Sequence, residues 1–256
     1  MSARSVYGPV QSRRFGMSLG IDPILNSSVC SFNCVYCQLG DIIEVTTKRR
    51  VFVPTVNIKN DFLLSPYNDV DVITLSGNGE PTLALNLGDI LRTIKGITSN
   101  YLIVFTNGTL LNDNDVVSSL CEASEVSVKL DVINDIFLKN INRADSGVTL
   151  DSILNGIRGF RKKYQGVFSI QTMALPITEG FIEELSKMLI SLAPDRVDIN
   201  TPARCRPSTW NVDNRGAHGG IVMPGSQEIK KMSKEASSSL GNRLMDAGIK
   251  VFICPP

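Results

Sequence analysis

Short runs rich in Val, Ile, Thr and Phe alternate through the middle of the chain with longer stretches in which apolar residues return every three or four positions. The runs DVITLSG (71–77), YLIVFTNG (101–108), EVSVKLDV (125–132), FSIQTMAL (168–175) and RVDINTP (196–202) predict strands, bounded by Gly, Pro, Asn or charged residues. Several are nearly continuous in apolar or β-branched residues, as strands covered on both faces are. TLDSILNGIRGFRKKY sets Ile153, Ile157, Phe160 and Tyr164 on one helical face, and FIEELSKMLISLA does the same with Ile182, Leu185, Leu189 and Leu192. Asn112 or Asp113 is placed to cap a helix through Val116 and Leu120, and Thr149 to cap the helix that follows it. An early strand near MSLGIDPI brings the total to about six β/α units.

Repeated alternation of this kind implies a parallel sheet with right-handed crossovers. Six units fall short of a closed eight-stranded barrel, so the expected fold is α/β: a partial (βα)6 barrel with a curved parallel sheet and short N- and C-terminal extensions. Residues 1–202 are expected to form the core with its N-terminal extension, and residues 203–256 a loop and helix packed on the same domain. Ligand chemistry in such sheets gathers at the C-terminal ends of the strands. Those ends read SGNGEP, FTNG, KLD, QTM and NTP, which places the polar and conformationally special residues together.

Composition narrows the class. The chain has 256 residues, 43% of them hydrophobic, with 26 Lys and Arg against 25 Asp and Glu. A charge this balanced argues against a general nucleic-acid coat. The sequence carries no signal-peptide pattern and no apolar run approaching the roughly 20 residues of a membrane span, so a soluble cytoplasmic protein is expected. Its six cysteines (Cys30, Cys34, Cys37, Cys121, Cys205 and Cys254) then read as thiols or metal ligands rather than disulfides.

Three of them stand in CSFNCVYCQLG, residues 30–40, with the spacing C-x3-C-x2-C. Thiolates suit both zinc and iron–sulfur clusters. A structural zinc site needs a fourth ligand, and the only histidine, His218, lies far along the chain. A [4Fe–4S] cluster with three protein ligands leaves one iron open, by the logic that separates catalytic from structural metal sites.

CSFNCVYC resembles the cluster loop of the radical S-adenosylmethionine (radical SAM) superfamily, C-x3-C-x-aromatic-C, with Tyr36 at the aromatic position. The resemblance implies that Cys30, Cys34 and Cys37 hold a [4Fe–4S] cluster whose fourth iron binds the amino and carboxylate groups of SAM. The reduced cluster then cleaves SAM to methionine and a 5′-deoxyadenosyl radical. SGNGEP (76–81) resembles the superfamily's Gly-Gly-Glu motif, with Gly77, Asn78 and Gly79 in place of the glycine pair and Glu80 as the acid that receives the methionine ammonium. Asn107, Lys129, Asp131, Asn142 and Arg143 are further candidates for the SAM pocket by the same likeness, although each also reads as a strand-end turn or an ion pair. Gln171 and Met173 are expected to point in alternate directions, so that one of them faces the pocket. Asn200 and Thr201 are placed to meet the adenine.

A closer likeness joins YGPVQSRRFGMSLGIDP (7–23), CVYCQLG, LSGNGEPTL, INR and VDINTPAR. Together these are similar to compact radical SAM oxidoreductases related to the tRNA wyosine-forming enzymes, over residues 7–204. That likeness makes a tRNA base the leading substrate, with a peptide or small metabolite as the alternative, and implies an electron donor of ferredoxin or flavodoxin type. True wyosine-forming enzymes resemble carriers of a second cluster on upstream cysteines, and no cysteine precedes Cys30 here. Arg13, Arg14, Lys48–Arg50, Arg161–Lys163, Arg204 and Arg206 would serve a polyanion or simply solubilise the surface. Residues 203–225 form a long Gly/Pro/Arg-rich connection containing Cys205, His218 and the sole tryptophan, Trp210, and are expected to close over the barrel mouth. An iron–sulfur electron carrier and a zinc-stabilised RNA-binding module are the alternatives from other classes.

Overall fold

The apolar runs become the strands of one curled sheet, and the helical stretches cover its convex face. The computed structural model describes residues 4–202, 204–216 and 225–254. In chain order the elements are β1 (Val6–Ser12), β2 (Gly16–Ile21), β3 (Val29–Cys30), β4 (Glu44–Val45), α1 (Thr55–Leu63), β5 (Val72–Leu75), α2 (Leu87–Lys95), β6 (Tyr101–Thr106) and α3 (Asn114–Leu120). There follow β7 (Glu125–Lys129), α4 (Asp135–Phe137), α5 (Leu150–Lys163), β8 (Val167–Met173), α6 (Ile182–Ser191), β9 (Arg196–Asn200), α7 (Lys234–Asp246) and β10 (Lys250–Ile253). The large sheet has eight strands in the order β1-β2-β5-β6-β7-β8-β9-β10, and only β1 runs antiparallel to its neighbour. It forms a half-barrel whose open side lies between β1 and β10. β3 and β4 make a separate two-stranded pair.

Alternation along each strand decides which residues face the helices and which face the lumen. Val126 and Val128 of β7, Phe168 and Ile170 of β8, and Val197 and Ile199 of β9 are all fully buried on the outer side. Ile153, Ile157 and Phe160 of α5 meet them there, and the Phe160 ring stacks on Tyr164 and sits edge-on to Phe168. Each such side chain contributes about 1.5–3 kcal/mol of burial. The caps are those the sequence indicates: Asp113 accepts from the Asp115 N–H at α3, and Thr149 from the Ser152 N–H at α5.

The inner wall is polar. Glu125, Ser127 and Lys129 of β7 lie beside Ser169, Gln171 and Met173 of β8, which lie beside Arg196, Asp198 and Asn200 of β9. Gln171 and Met173 therefore share a face, contrary to the expectation from sequence, because residues two apart on a strand point the same way. Arg14 and Phe15 form the turn of the β1–β2 hairpin, and they reach into the lumen. Arg14 donates to Asp198 at 2.8 Å and to Gln171 Oε1 at 3.3 Å, and its guanidinium lies over the rings of Phe15 and Phe105. Arg196 donates to Glu125 and Asp198, so the lower lumen is filled by a paired network. No helix among the described residues is long and apolar enough to cross a membrane.

Candidate active site at the cysteine loop

Cys30 ends β3, and Cys34 and Cys37 follow in a loop that the fold pins from three sides. The Asn33 N–H donates to the Asn142 carbonyl and the Val35 N–H to the Ile141 carbonyl, both at 2.9 Å. These carbonyls belong to a π-helical segment at Leu138–Asn142, which ends on Arg143 in the left-handed region at φ 46°. Within the loop the Cys37 N–H donates to the Cys34 carbonyl, and the Phe32 N–H points at Cys30 Sγ at 3.4 Å. Two amides approach the sulfurs from behind: Asn107 Nδ2 lies 3.5 Å from Cys30 Sγ, and Asn142 Nδ2 lies 3.5 Å from Cys34 Sγ.

Burial raises the Cys30 thiol well above its ordinary pKa, with Glu80 adding to the effect, and takes Cys37 to about 11, with Cys34 the next cause. A thiolate here is costly without a cation, and metal coordination is what deprotonates thiols outright. Among the described residues no three His, Cys, Asp or Glu side chains converge as the ligands of one metal ion would. Three thiols on one loop are ligands of the kind iron–sulfur clusters take.

Tyr36, Lys129, Asp131 and Asn142 form one knot beneath the loop. Tyr36 Oη donates to Asp131 Oδ2, and Lys129 Nζ donates to the same oxygen at 2.5 Å and to the tyrosine oxygen. Asn142 Nδ2 stands 3.0 Å from Asp131 Oδ2 and 3.2 Å from Tyr36 Oη. Asp131 Oδ1 accepts the Met173 N–H at 2.7 Å, which fastens the knot to β8. Burial works most strongly against the Lys129 charge, but Asp131 together with Cys34 and Cys37 outweighs it and holds the ammonium above its ordinary pKa. Burial and Asp131 likewise keep Tyr36 protonated.

The second strand-end feature is the turn Ser76–Glu80 after β5. Gly77 takes φ +141°, and a Cβ there would lie 2.3 Å from Asp22 Cγ. At Gly79 a Cβ would fall 1.7 Å from the Val29 carbonyl oxygen. The turn is laced to β3, the Val29 N–H donating to the Asn78 carbonyl and the Glu80 N–H to the Val29 carbonyl, each at 3.0 Å. It thus stands directly beside Cys30.

A family model for the radical SAM superfamily matches residues 26–189. This chain belongs to the radical SAM superfamily. A UPF0026 protein of Synechocystis is 43% identical over 259 residues, covering 97% of this chain and 98% of its own. Streptococcus suis SuiB bound to the precursor peptide SuiA superposes with a TM-score of 0.66 at 15% identity, over 91% of this chain and 48% of that one. Native anSMEcpe with bound AdoMet gives 0.63 at 17% identity, over 92% of this chain and 63% of that one. These two likenesses establish the radical SAM half-barrel, and this chain spans only about half the length of SuiB.

Against that radical SAM frame the expected site residues separate into groups. Cys30, Cys34, Cys37, Tyr36, Asn107, Lys129, Asp131 and Asn142 come together, with Arg143 exposed at the rim. Several are committed to the protein rather than open to a ligand. Glu80 Oε1 already accepts from the Thr82 N–H, the Thr82 hydroxyl and the Thr106 hydroxyl, and Oε2 accepts from the Asn107 N–H at 2.7 Å. Only one acceptor direction, on Oε2, is left. Burial nonetheless raises the Glu80 pKa. The Asn78 side chain is fully buried and spoken for by Asp22, the Leu25 carbonyl and Trp210, so it faces away from the pocket. Gln171 is drawn down the lumen to Arg14, and Asn200 is paired with the Cys254 thiol at 2.7 Å, so neither joins the cysteine knot. His218 lies outside the described residues.

Asp22, Ser31, Thr82, Thr106, Thr109 and Arg215 support the site and were not singled out from the sequence. Thr109 and Ser31, for instance, bond each other and together hold the Asn107 amide against Cys30. Asp22 had a visible signal, a charged residue at the very end of an apolar strand, as did Thr106 at the strand end FTNG.

Gly79→Ala forces its methyl into the Val29 carbonyl, and both the turn and β3 must move. The expected cost is about 1–3 kcal/mol of stability, read by chemical denaturation, together with loss of SAM binding in calorimetry. Wild-type affinity in this variant would mean that the turn is not the binding element.

Proposed function

We propose that this protein is a radical SAM enzyme of oxidoreductase or lyase type in which Cys30, Cys34 and Cys37 hold a [4Fe–4S] cluster and leave one iron open to SAM. The observation that carries the reading is a juxtaposition: three buried or half-buried thiols on one loop, and a glycine turn bridged to the same short strand through Val29 and Gly79. When bound and reduced by a donor of ferredoxin or flavodoxin type, the cluster supplies an electron for cleaving SAM to methionine and a 5′-deoxyadenosyl radical, which takes hydrogen from a substrate C–H bond.

The chain's own residues position, tune and exclude water. Gly77 and Gly79 let the turn close onto Asp22 and Val29, where no side chain would fit. The remaining Oε2 direction of Glu80 suits the SAM ammonium. Asn107 and Asn142 donate toward sulfur and withdraw charge from the thiolates, a lever on cluster potential. Lys129, Asp131 and Tyr36 hold Asn142 in place, and Arg143 lines the rim. Gln171 and Asn200 act on the lumen wall rather than on SAM. The substrate meets the sheet at the C-terminal ends of the strands, beyond the Arg196 network. Residues 1–202 and 203–256 work as one unit, since β10 and α7 pack on β9 and α6.

A tRNA base is the proposed substrate on sequence likeness alone. Many of the basic residues considered for a polyanion are paired internally: Arg14 with Asp198, Arg49 with Asp113, Arg50 with Glu44, Arg161 with Asp195 and Arg206 with Asp41. That commitment favours testing a peptide and small metabolites beside tRNA.

The test is anaerobic reconstitution with iron and sulfide, then reduction with SAM. The expected outcome is 5′-deoxyadenosine, in larger yield when the true substrate is present. An intact [4Fe–4S] cluster that neither binds nor cleaves SAM would overturn the enzyme reading in favour of an electron carrier.

A further inference from the structure

The segment 204–216 leaves the top of β9 and crosses the barrel mouth to the opposite edge of the sheet. Its first part rests on the cysteine loop. Arg204 donates to Gln38 and Arg206 to Asp41, and Gly40 lies so close that a Cβ would sit 3.0 Å from the carbonyls of Pro207 and Thr209. Its second part rests on the glycine turn. Trp210 Nε1 donates to Asn78 Oδ1 at 3.2 Å, and Arg215 Nη1 donates to Asp22 Oδ2 at 2.8 Å.

Asp22 is the pivot. It is fully buried, and its Oδ1 accepts the N–H groups of Ile24 and Leu25. Its Oδ2 accepts Asn78 Nδ2 at 2.7 Å beside the arginine, and its Cγ fills the space that a side chain on Gly77 would need. The Arg215 side chain is only 7% exposed and lies over the Tyr7 ring, whose hydroxyl bonds Ser76 Oγ at 2.7 Å. Ser76, Gly77 and Asn78 are thus each held by a contact that includes, or abuts, a residue of the strap. A buried charge pair of this kind is a poor source of net stability, but it fixes geometry firmly, because either partner alone is strongly disfavoured.

We propose that Trp210 and Arg215 are positioning residues for the turn at 76–80, acting from a strap that joins this turn to the cysteine loop. The proposal rests on the reading that the turn binds SAM. It assigns a task in cofactor binding to side chains more than a hundred residues downstream, whose own contacts are to the protein.

The test uses full-length, cluster-loaded protein under anaerobic conditions, with SAM titrated by calorimetry and iron and sulfide measured per chain. Trp210→Phe keeps an aromatic ring and removes the N–H. Arg215→Met is made together with Asp22→Asn so that no charge is buried alone, and Arg215→Lys serves as the conservative variant. The expected result is a SAM dissociation constant about tenfold higher in Trp210→Phe and in the double variant, with unchanged iron content and partial recovery in Arg215→Lys. Because Trp210 is the sole tryptophan, the emission of cluster-free protein reads the contact directly, and Asn78→Ala should shift it to the red. A lowered thermal midpoint with an unchanged dissociation constant, at a temperature where the variants are folded, would mean that the strap is only structural and would overturn the proposal. Wild-type protein that carries its cluster yet binds no SAM overturns the earlier reading as well, and the wild-type titration tells the two failures apart.

Discussion

Cys34→Ala is expected to abolish formation of 5′-deoxyadenosine and to lower bound iron and sulfide, while the chain stays folded. Cys34 is the middle thiol of the loop and the most buried of the three, with Asn142 behind its sulfur. On the proposed assignment, the change removes one of three ligands and leaves two thiols on the loop, so the loss is expected in metal binding first and in chemistry as its result. Stability changes little by comparison, about 1 kcal/mol, because only one sulfur leaves the core. Iron and sulfide analysis with the visible absorption spectrum gives the first readout, and circular dichroism the second. Full iron content with normal SAM cleavage in Cys34→Ala would sink the assignment of the loop. Loss of helical signal would instead mean that the variant failed to fold, in which case Cys37→Ala, at a half-buried position, repeats the test.

The second large effect lies in the lumen. Arg196→Met is expected to cost about 3 kcal/mol of folding stability, the lower end of what breaking a buried ion pair costs. Two carboxylates lose a partner, Glu125 at 2.5 Å and Asp198 at 2.8 Å, and both are buried. The penalty stays at the lower end because Arg14 still pairs with Asp198, and the Ser169 hydroxyl and Tyr101 hydroxyl still reach Glu125. Denaturant unfolding measures the loss. Adding Glu125→Gln should recover part of it, since the orphaned charge is then gone, and a double-mutant cycle isolates the coupling. Equal stability of Arg196→Met and wild type would show that the network contributes nothing to holding the inner wall.

Much of this fold was legible because its central strands are buried on both faces and its helices carry a clear apolar stripe. β5 to β9, α3, α5, α6 and the caps at Asp113 and Thr149 all lie where the pattern placed them. The edges were not legible. β1 contains Gly and Pro and buries only Val6 fully, and β10 is four residues with no fully buried position, so neither has the apolar density of a central strand. The site divides the same way. Local chemistry written within a few residues, such as the cysteine spacing or the glycine turn, could be read directly. Which way a motif's side chains point could not: Asn78 and Glu80 sit inside a recognisable motif, yet their partners Asp22, Thr106 and Trp210 come from three other elements. Gln171 is engaged from afar for a similar reason, because its partner in the structure, Arg14, sits on the turn of the β1–β2 hairpin.

That hairpin turn has a bearing on how the protein is made. The contacts that close the half-barrel join residues 184 apart, Arg14 to Asp198, and 193 apart, Asp22 to Arg215. At translation rates of about 5–20 residues per second, Arg14 waits on the order of 10–40 s for its partner to leave the ribosome. During that interval the nascent chain already holds all three clustered cysteines, but neither the latch across its open side nor the strap over its mouth.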